Sequence, residues 1–103
     1  MLKVSKPHLA LIQTILKKYL PDCEVRAFGS RVQGKERKYS DLDLVVLGKG
    51  KIERHRLVLL KEAFEESSLP FRLDILDFHR MTPEFKKAIG HHFVLIQEPS
   101  HTP

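Results

Sequence analysis

Apolar residues recur at three- and four-residue spacing from Leu9 through Ile12, Ile15, Leu16, Tyr19 and Leu20, behind a Pro7 that a helix tolerates in its first turn. The spacing predicts a first helix that ends before Pro21. Residues 24–28 mix apolar Val25, Ala27 and Phe28 with charged Arg26 between Asp22 and Gly29, the pattern of a short strand. The sequence from Leu42 to Leu47 is the strongest strand signal, rich in residues suited to a buried pleated surface and closed by Gly48 and Gly50. A second helix is predicted over residues 52–66, with Leu57, Leu60, Ala63 and Phe64 on one face. After Pro70, residues 71–78 read as a strand with Asp74 at its centre. Thr82 then caps a third helix with Pro83 in the first turn, Phe85, Ala88 and Ile89 as its inner stripe, and Gly90 as its stop. Residues 93–96 suit a short last strand, and the polar, proline-bearing residues beyond suit a loose tail.

This order predicts an α/β (α+β) fold, a small mixed β-sheet flanked by helices, with one sheet face packed and the other available. With 103 residues the chain has room for one core, so residues 1–97 are expected to form a single domain and residues 98–103 a flexible tail. Apolar residues at 42% and charged residues at 30% exclude collagen, coiled coil and acidic-tail classes. The longest apolar runs fall far short of the ~20 residues that cross a bilayer, and no signal-peptide core precedes them, so a cytoplasmic protein without membrane attachment is expected. Cys23 stands alone, which excludes an internal disulfide and a zinc finger.

Charge changes the picture by its placement. Of the 18 Lys and Arg residues, ten fall in residues 1–50 against five Asp and Glu, whereas residues 51–103 hold eight of each, so the net charge of +5 comes from the first half. Within residues 29–40, Arg31, Lys35, Arg37 and Lys38 face only Glu36. A short cationic loop of this kind attracts phosphate.

The oddest local pattern follows that loop: Asp41 and Asp43 open the most hydrophobic strand. A side-chain period of two puts them on one face, ~6.6 Å apart along the strand. At an effective dielectric of ~20 their repulsion costs ~2.5 kcal/mol. Asp74, on another strand, would add to it if the strands are neighbours, and the sum is heavy against a total stability of ~5–15 kcal/mol. A divalent cation relieves it. Magnesium takes a few carboxylates, phosphate oxygens and water, and two ions ~3.5–4 Å apart could bridge Asp41 and Asp43. The plainer reading makes Asp41 a turn residue and points Asp43 to solvent. An EF-hand is excluded because Leu44 and Val45 stand where further oxygen ligands belong.

Upstream, Gly29 lets backbone approach a phosphate, and Ser30 offers both its N–H and its hydroxyl. Arg31 lies beside that cradle. Residues 29–35 also match the G-x-x-x-x-G-K core of a Walker A loop, but Glu36 occupies the Ser/Thr position and a strand follows where a helix is required.

Gly29-Ser30, ten residues, Asp41-Leu42-Asp43 and a later strand carboxylate together resemble the signature of the DNA polymerase β-like nucleotidyltransferase superfamily, and the short length resembles its minimal nucleotidyltransferase branch. The segments at residues 27–34, 39–44 and 72–77 carry the likeness. The resemblance implies that Ser30, with Gly29 and Arg31 beside it, holds a triphosphate, that Asp41 and Asp43 hold Mg2+, and that Asp74 is the third acidic residue, orienting or deprotonating an attacking hydroxyl. The implied reaction moves a nucleoside monophosphate, AMP from ATP, to an acceptor hydroxyl. It further implies a separately encoded helical HEPN-type partner, which supplies the acceptor and for which this chain is the antitoxin.

A second reading keeps the fold as an inert module that masks a helical partner. Direct nucleic-acid binding is disfavoured, since only Tyr39 interleaves an aromatic with the basic residues. Cys23 is expected near the core, His91 and His92 at a surface turn, and Asp77, three residues from Asp74, on the opposite sheet face.

Overall fold

The computed structural model describes residues 2, 4–29, 41–90 and 92–100, and its elements follow the predicted order. Helix α1 (Lys6–Tyr19) starts where the Ser5 hydroxyl accepts the His8 N–H at 3.4 Å. Strands β1 (Glu24–Phe28) and β2 (Leu42–Leu47) have the predicted bounds. Helix α2 (Arg54–Glu65) starts later than its apolar pattern suggests, because the Ile52 N–H instead donates to Asp77 Oδ2 at 2.8 Å. Strand β3 (Leu73–Asp77) is shorter than expected: Asp77 Oδ1 accepts the His79 N–H at 3.0 Å and turns the chain into a 3₁₀ turn, Phe78–Arg80. Helix α3 (Pro83–Ile89) is capped by Thr82 and stops at Gly90, whose φ of 57° suits glycine; β4 (Val94–Gln97) follows.

The four strands lie in the order β3-β2-β1-β4. β1 runs antiparallel to β2 and β4, while β2 and β3 are parallel and joined through α2, as a parallel pair requires a crossover. Ile12, Leu16 and Leu20 of the first helical segment and Leu60 and Phe64 of α2 pack on Val25, Ala27, Leu42, Leu44, Val46, Ile75 and Ile96, forming one buried layer. The alternate residues Arg26, Phe28, Asp43, Val45, Asp74 and Leu76 therefore face away from these helices.

One expectation needs correction. Phe85 and Ala88 are not an inner stripe: both are exposed, Phe85 by 44%, and α3 buries no residue. With only 7 residues α3 stays beside β1, where the Phe85 ring meets Phe28 edge-on at 6.3 Å. Beyond β4, the Ser100 N–H donates to the Pro21 carbonyl at 2.8 Å. Cys23 is buried, and that burial pushes its thiol up to about 11. No described helix is long and apolar enough to cross a membrane.

Asp77 points into the helix-packed side with its side chain 1% exposed, and Arg80 Nε lies 3.3 Å from Oδ2. It joins β3, the entry to α2 and the 3₁₀ turn. Asp77→Ala strands the buried Ile52 N–H and should lower unfolding free energy by about 2–4 kcal/mol, with a smaller loss for Asp77→Asn, as urea denaturation will measure.

Candidate active site

The site face gains its chemistry from register. Asp43 on β2 lies opposite Phe28 on β1 and beside Asp74 on β3, so one row crosses three strands. Neighbouring strands stand ~4.8 Å apart, which brings the two carboxylates within easy reach of one another. Asp41 directly precedes β2 and lines, with Asp74, a cleft of about 560 Å³. Asp41 and Asp74 are exposed, whereas Asp43 is half-buried. The three expected carboxylates thus come from two strands to one end of the sheet.

Gly29 closes the row from the β1 side. Its φ is 86°, in the left-handed region, and a Cβ on it would stand 3.2 Å from Asp43 Cγ and closer still to Oδ2. The residue was expected to let backbone approach a phosphate; it also clears the space that Asp43 fills. Only the pairing of Phe28 with Asp43 reveals this second demand.

Burial raises the pKa of Asp43 above the ordinary carboxylate value, and the charges of Asp74 and Asp41 raise it further. Among the described residues, Arg26 pairs with Glu24, Arg56 with Asp22 at 2.5 Å and Arg80 with Asp77, whereas Lys61 and Arg72 line the cleft that holds Asp41 and Asp74. A bound cation would relieve the repulsion within the row. A hard divalent cation such as Mg2+ fits this donor set by chemistry, being all-oxygen and anionic. Among the described residues, no three Asp, Glu, His or Cys side chains form a ready-made metal cage. Carboxylates would thus supply part of a coordination sphere, and phosphate and water the rest, which is the habit of Mg2+.

Ser30, Arg31 and the basic stretch to residue 40 lie outside the described residues, as does His91. Asp77 is on the opposite face, as its spacing from Asp74 required. A small apolar ledge of about 150 Å³, formed by Phe28, Phe85, Ala88, Ile89 and His92, borders Gly29 and was missed in the sequence, where Phe85 and Ala88 read as core.

Residues 11–102 match the family model described as polymerase beta nucleotidyltransferase. The chain belongs to that family. It is also 44% identical over 101 residues to the probable protein adenylyltransferase MntA of Haemophilus influenzae strain Rd, an alignment covering 98% of this chain and 89% of the relative. A chain of a toxin–antitoxin crystal structure with AMP-PNP superposes with a TM-score of 0.72 at 17% identity, covering 94% of this chain and 76% of that one. A chain from the complex of tri-AMPylated Shewanella oneidensis HEPN toxin with MNT antitoxin superposes with a TM-score of 0.61 at 15% identity, covering 89% and 73%. These likenesses establish the polymerase β-like fold of the nucleotidyltransferases for this sheet. The protein is a nucleotidyltransferase and a homologue of the probable protein adenylyltransferase MntA.

Two outcomes follow from the row. Gly29→Ala drives a methyl group into the Asp43 carboxylate at a left-handed φ, and should abolish the thermal stabilisation produced by Mg2+ with a nonhydrolysable ATP analogue. For Asp43 the sign is set by its raised pKa: the ionised form is less favourable in the folded than in the unfolded chain, so wild type loses stability as pH rises through the carboxylate range. Metal-free Asp43→Asn should therefore melt higher at pH 7, by about 4 °C or more if roughly 1 kcal/mol is relieved, and this advantage should vanish below the ordinary carboxylate pKa.

Proposed function

We propose that the chain transfers AMP from ATP to a hydroxyl of a separately encoded HEPN-type protein, acting in the cytoplasm as the antitoxin of that pair. The observation that carries the reading is the alignment of Gly29, Asp43 and Asp74 across the sheet, in a chain 44% identical to a probable protein adenylyltransferase. The toxin–antitoxin complexes among its structural neighbours support the choice of partner.

In this mechanism Gly29 and Ser30 hold the triphosphate and Arg31 adds positive charge beside it. Asp41 and Asp43 hold Mg2+, with Asp74 able to complete the acidic set once nucleotide is in place. When bound, Mg2+ offsets phosphate charge and favours in-line displacement at phosphorus. Asp74, the exposed end of the row, orients the acceptor hydroxyl and takes its proton. The acceptor oxygen forms its bond to the α-phosphorus as the bond to pyrophosphate breaks, and pyrophosphate leaves. Positioning and charge neutralisation carry most of the rate.

Incubating the two proteins with α-labelled ATP and Mg2+ should label the HEPN-type protein, and chelating the metal should stop the labelling. Asp43→Asn should reduce the rate by at least about 100-fold, and Asp74→Asn should lower kcat by about 10²–10⁴. A blank partner, with other hydroxyl acceptors equally blank, would contradict transfer. Neutralisation of the partner that persists in Asp43→Asn would favour masking without catalysis.

A further inference from the structure

Among the described residues the sheet ends at β3, the strand that carries Asp74. Its main-chain directions follow from one hydrogen bond, Leu42 N–H to the Arg72 carbonyl at 2.9 Å, together with the parallel register that sets Leu42 beside Leu73. In a parallel ladder, successive residues turn their N–H and C=O groups to opposite sides. Arg72, Asp74 and Leu76 therefore face β2, and Leu73 and Ile75 face outward. Among the described residues no strand pairs with that outer side. The same edge opens into the cleft that holds Asp41 and Asp74, whose walls include Phe64, Leu69 and Phe71.

We propose that this outer edge of β3 is the acceptor subsite, and that it takes an extended, hydroxyl-bearing stretch of the partner polypeptide as an added strand. The inference rests on the transfer reading above. An added strand lies ~4.8 Å from β3 and projects alternate side chains onto the face of Asp74. A residue in register with Asp74 then sets its hydroxyl beside that carboxylate. The row reads acceptor, Asp74, Asp43, Gly29, from one side of the sheet to the other. Displacement in line at phosphorus needs the entering and leaving groups on opposite sides, and the phosphate cradle at Gly29 leaves the β3 side for entry. Charge selects the class of occupant. Asp41, Asp74 and Glu65 outnumber Lys61 and Arg72 along the cleft, which disfavours a nucleic-acid backbone and leaves main-chain pairing with a polypeptide.

Amide hydrogen exchange followed by NMR reads this directly. Adding the HEPN-type protein should slow exchange at Leu73 and Ile75 by at least about 10-fold, the worth of one main-chain hydrogen bond, while Asp74 and Leu76 change less. Leu73→Pro removes an outward donor at the first residue of an edge strand, a place that tolerates proline. It should lower kcat/KM for the HEPN-type protein by about 10-fold and leave the melting shift with Mg2+ and ATP analogue unchanged. Labelled transfer at full rate in Leu73→Pro, with both amides unprotected in the complex, would overturn the edge subsite and leave the transfer reading standing. Absence of any transfer overturns both. Protection of the two amides in the isolated chain that grows with its concentration would assign the edge to a second copy and overturn the proposal as well. Should Leu73→Pro fail to fold, the exchange measurement on the unmodified chain decides alone.

Discussion

Mutual repulsion between carboxylates that the sheet forces together is the constraint on which the rest of this structure depends. Asp43 and Asp74 are neighbours because β2 and β3 run parallel with those two residues in register, and Asp41 adds its charge from the foot of β2. The backbone cannot relax this arrangement without breaking the ladder between the two strands. Half-burial of Asp43 is the larger part of the cost, since it withholds water from the charge, and the charges of Asp74 and Asp41 add to it. The fold thus places an unfavourable electrostatic term at one end of its sheet, which a cation bound there with nucleotide phosphates would release.

The remaining architecture holds that row in place. Helices α1 and α2 cover one face with Ile12, Leu16, Leu60 and Phe64, fixing the strands from below, while Asp43 and Asp74 stand on the other face. Asp77 anchors the far end of β3 through the Ile52 and His79 amides and the Arg80 side chain, so the strand bearing Asp74 is tied at its base. Gly29 is the complementary device on β1, a missing side chain whose space belongs to Asp43. One aspartate of the 72–77 segment therefore serves the fold and the other the site, and the alternation of a strand is what separates them.

Much of this was legible in the chain itself. The bounds of β1 and β2 follow from Asp22, Gly29 and Gly48 flanking runs suited to strands, and a period of two placed Asp41 with Asp43 and set Asp77 apart from Asp74. Register was not legible. Nothing local to residues 42–47 says that Asp43 pairs with Phe28 on one side and Asp74 on the other, because that choice is made by packing among distant elements. The misread helix α3 shows the same limit. Its spacing marks Phe85, Ala88 and Ile89 as one stripe, but a period cannot say whether that stripe meets a core or, as here, a ledge beside Gly29. Boundaries at Ile52 and Phe78 were missed for a related reason, since both are set by the Asp77 side chain reaching across the chain.

Site-resolved titration of the aspartate carboxyl carbons by NMR tests the central claim most directly. Without divalent metal, Asp43 should titrate above the ordinary carboxylate value; with Mg2+ and a nonhydrolysable ATP analogue its titration should move to lower pH. An Asp43 that titrates at or below the ordinary value without metal, and does not respond to Mg2+ with nucleotide, would mean that the three carboxylates do not share one electrostatic site.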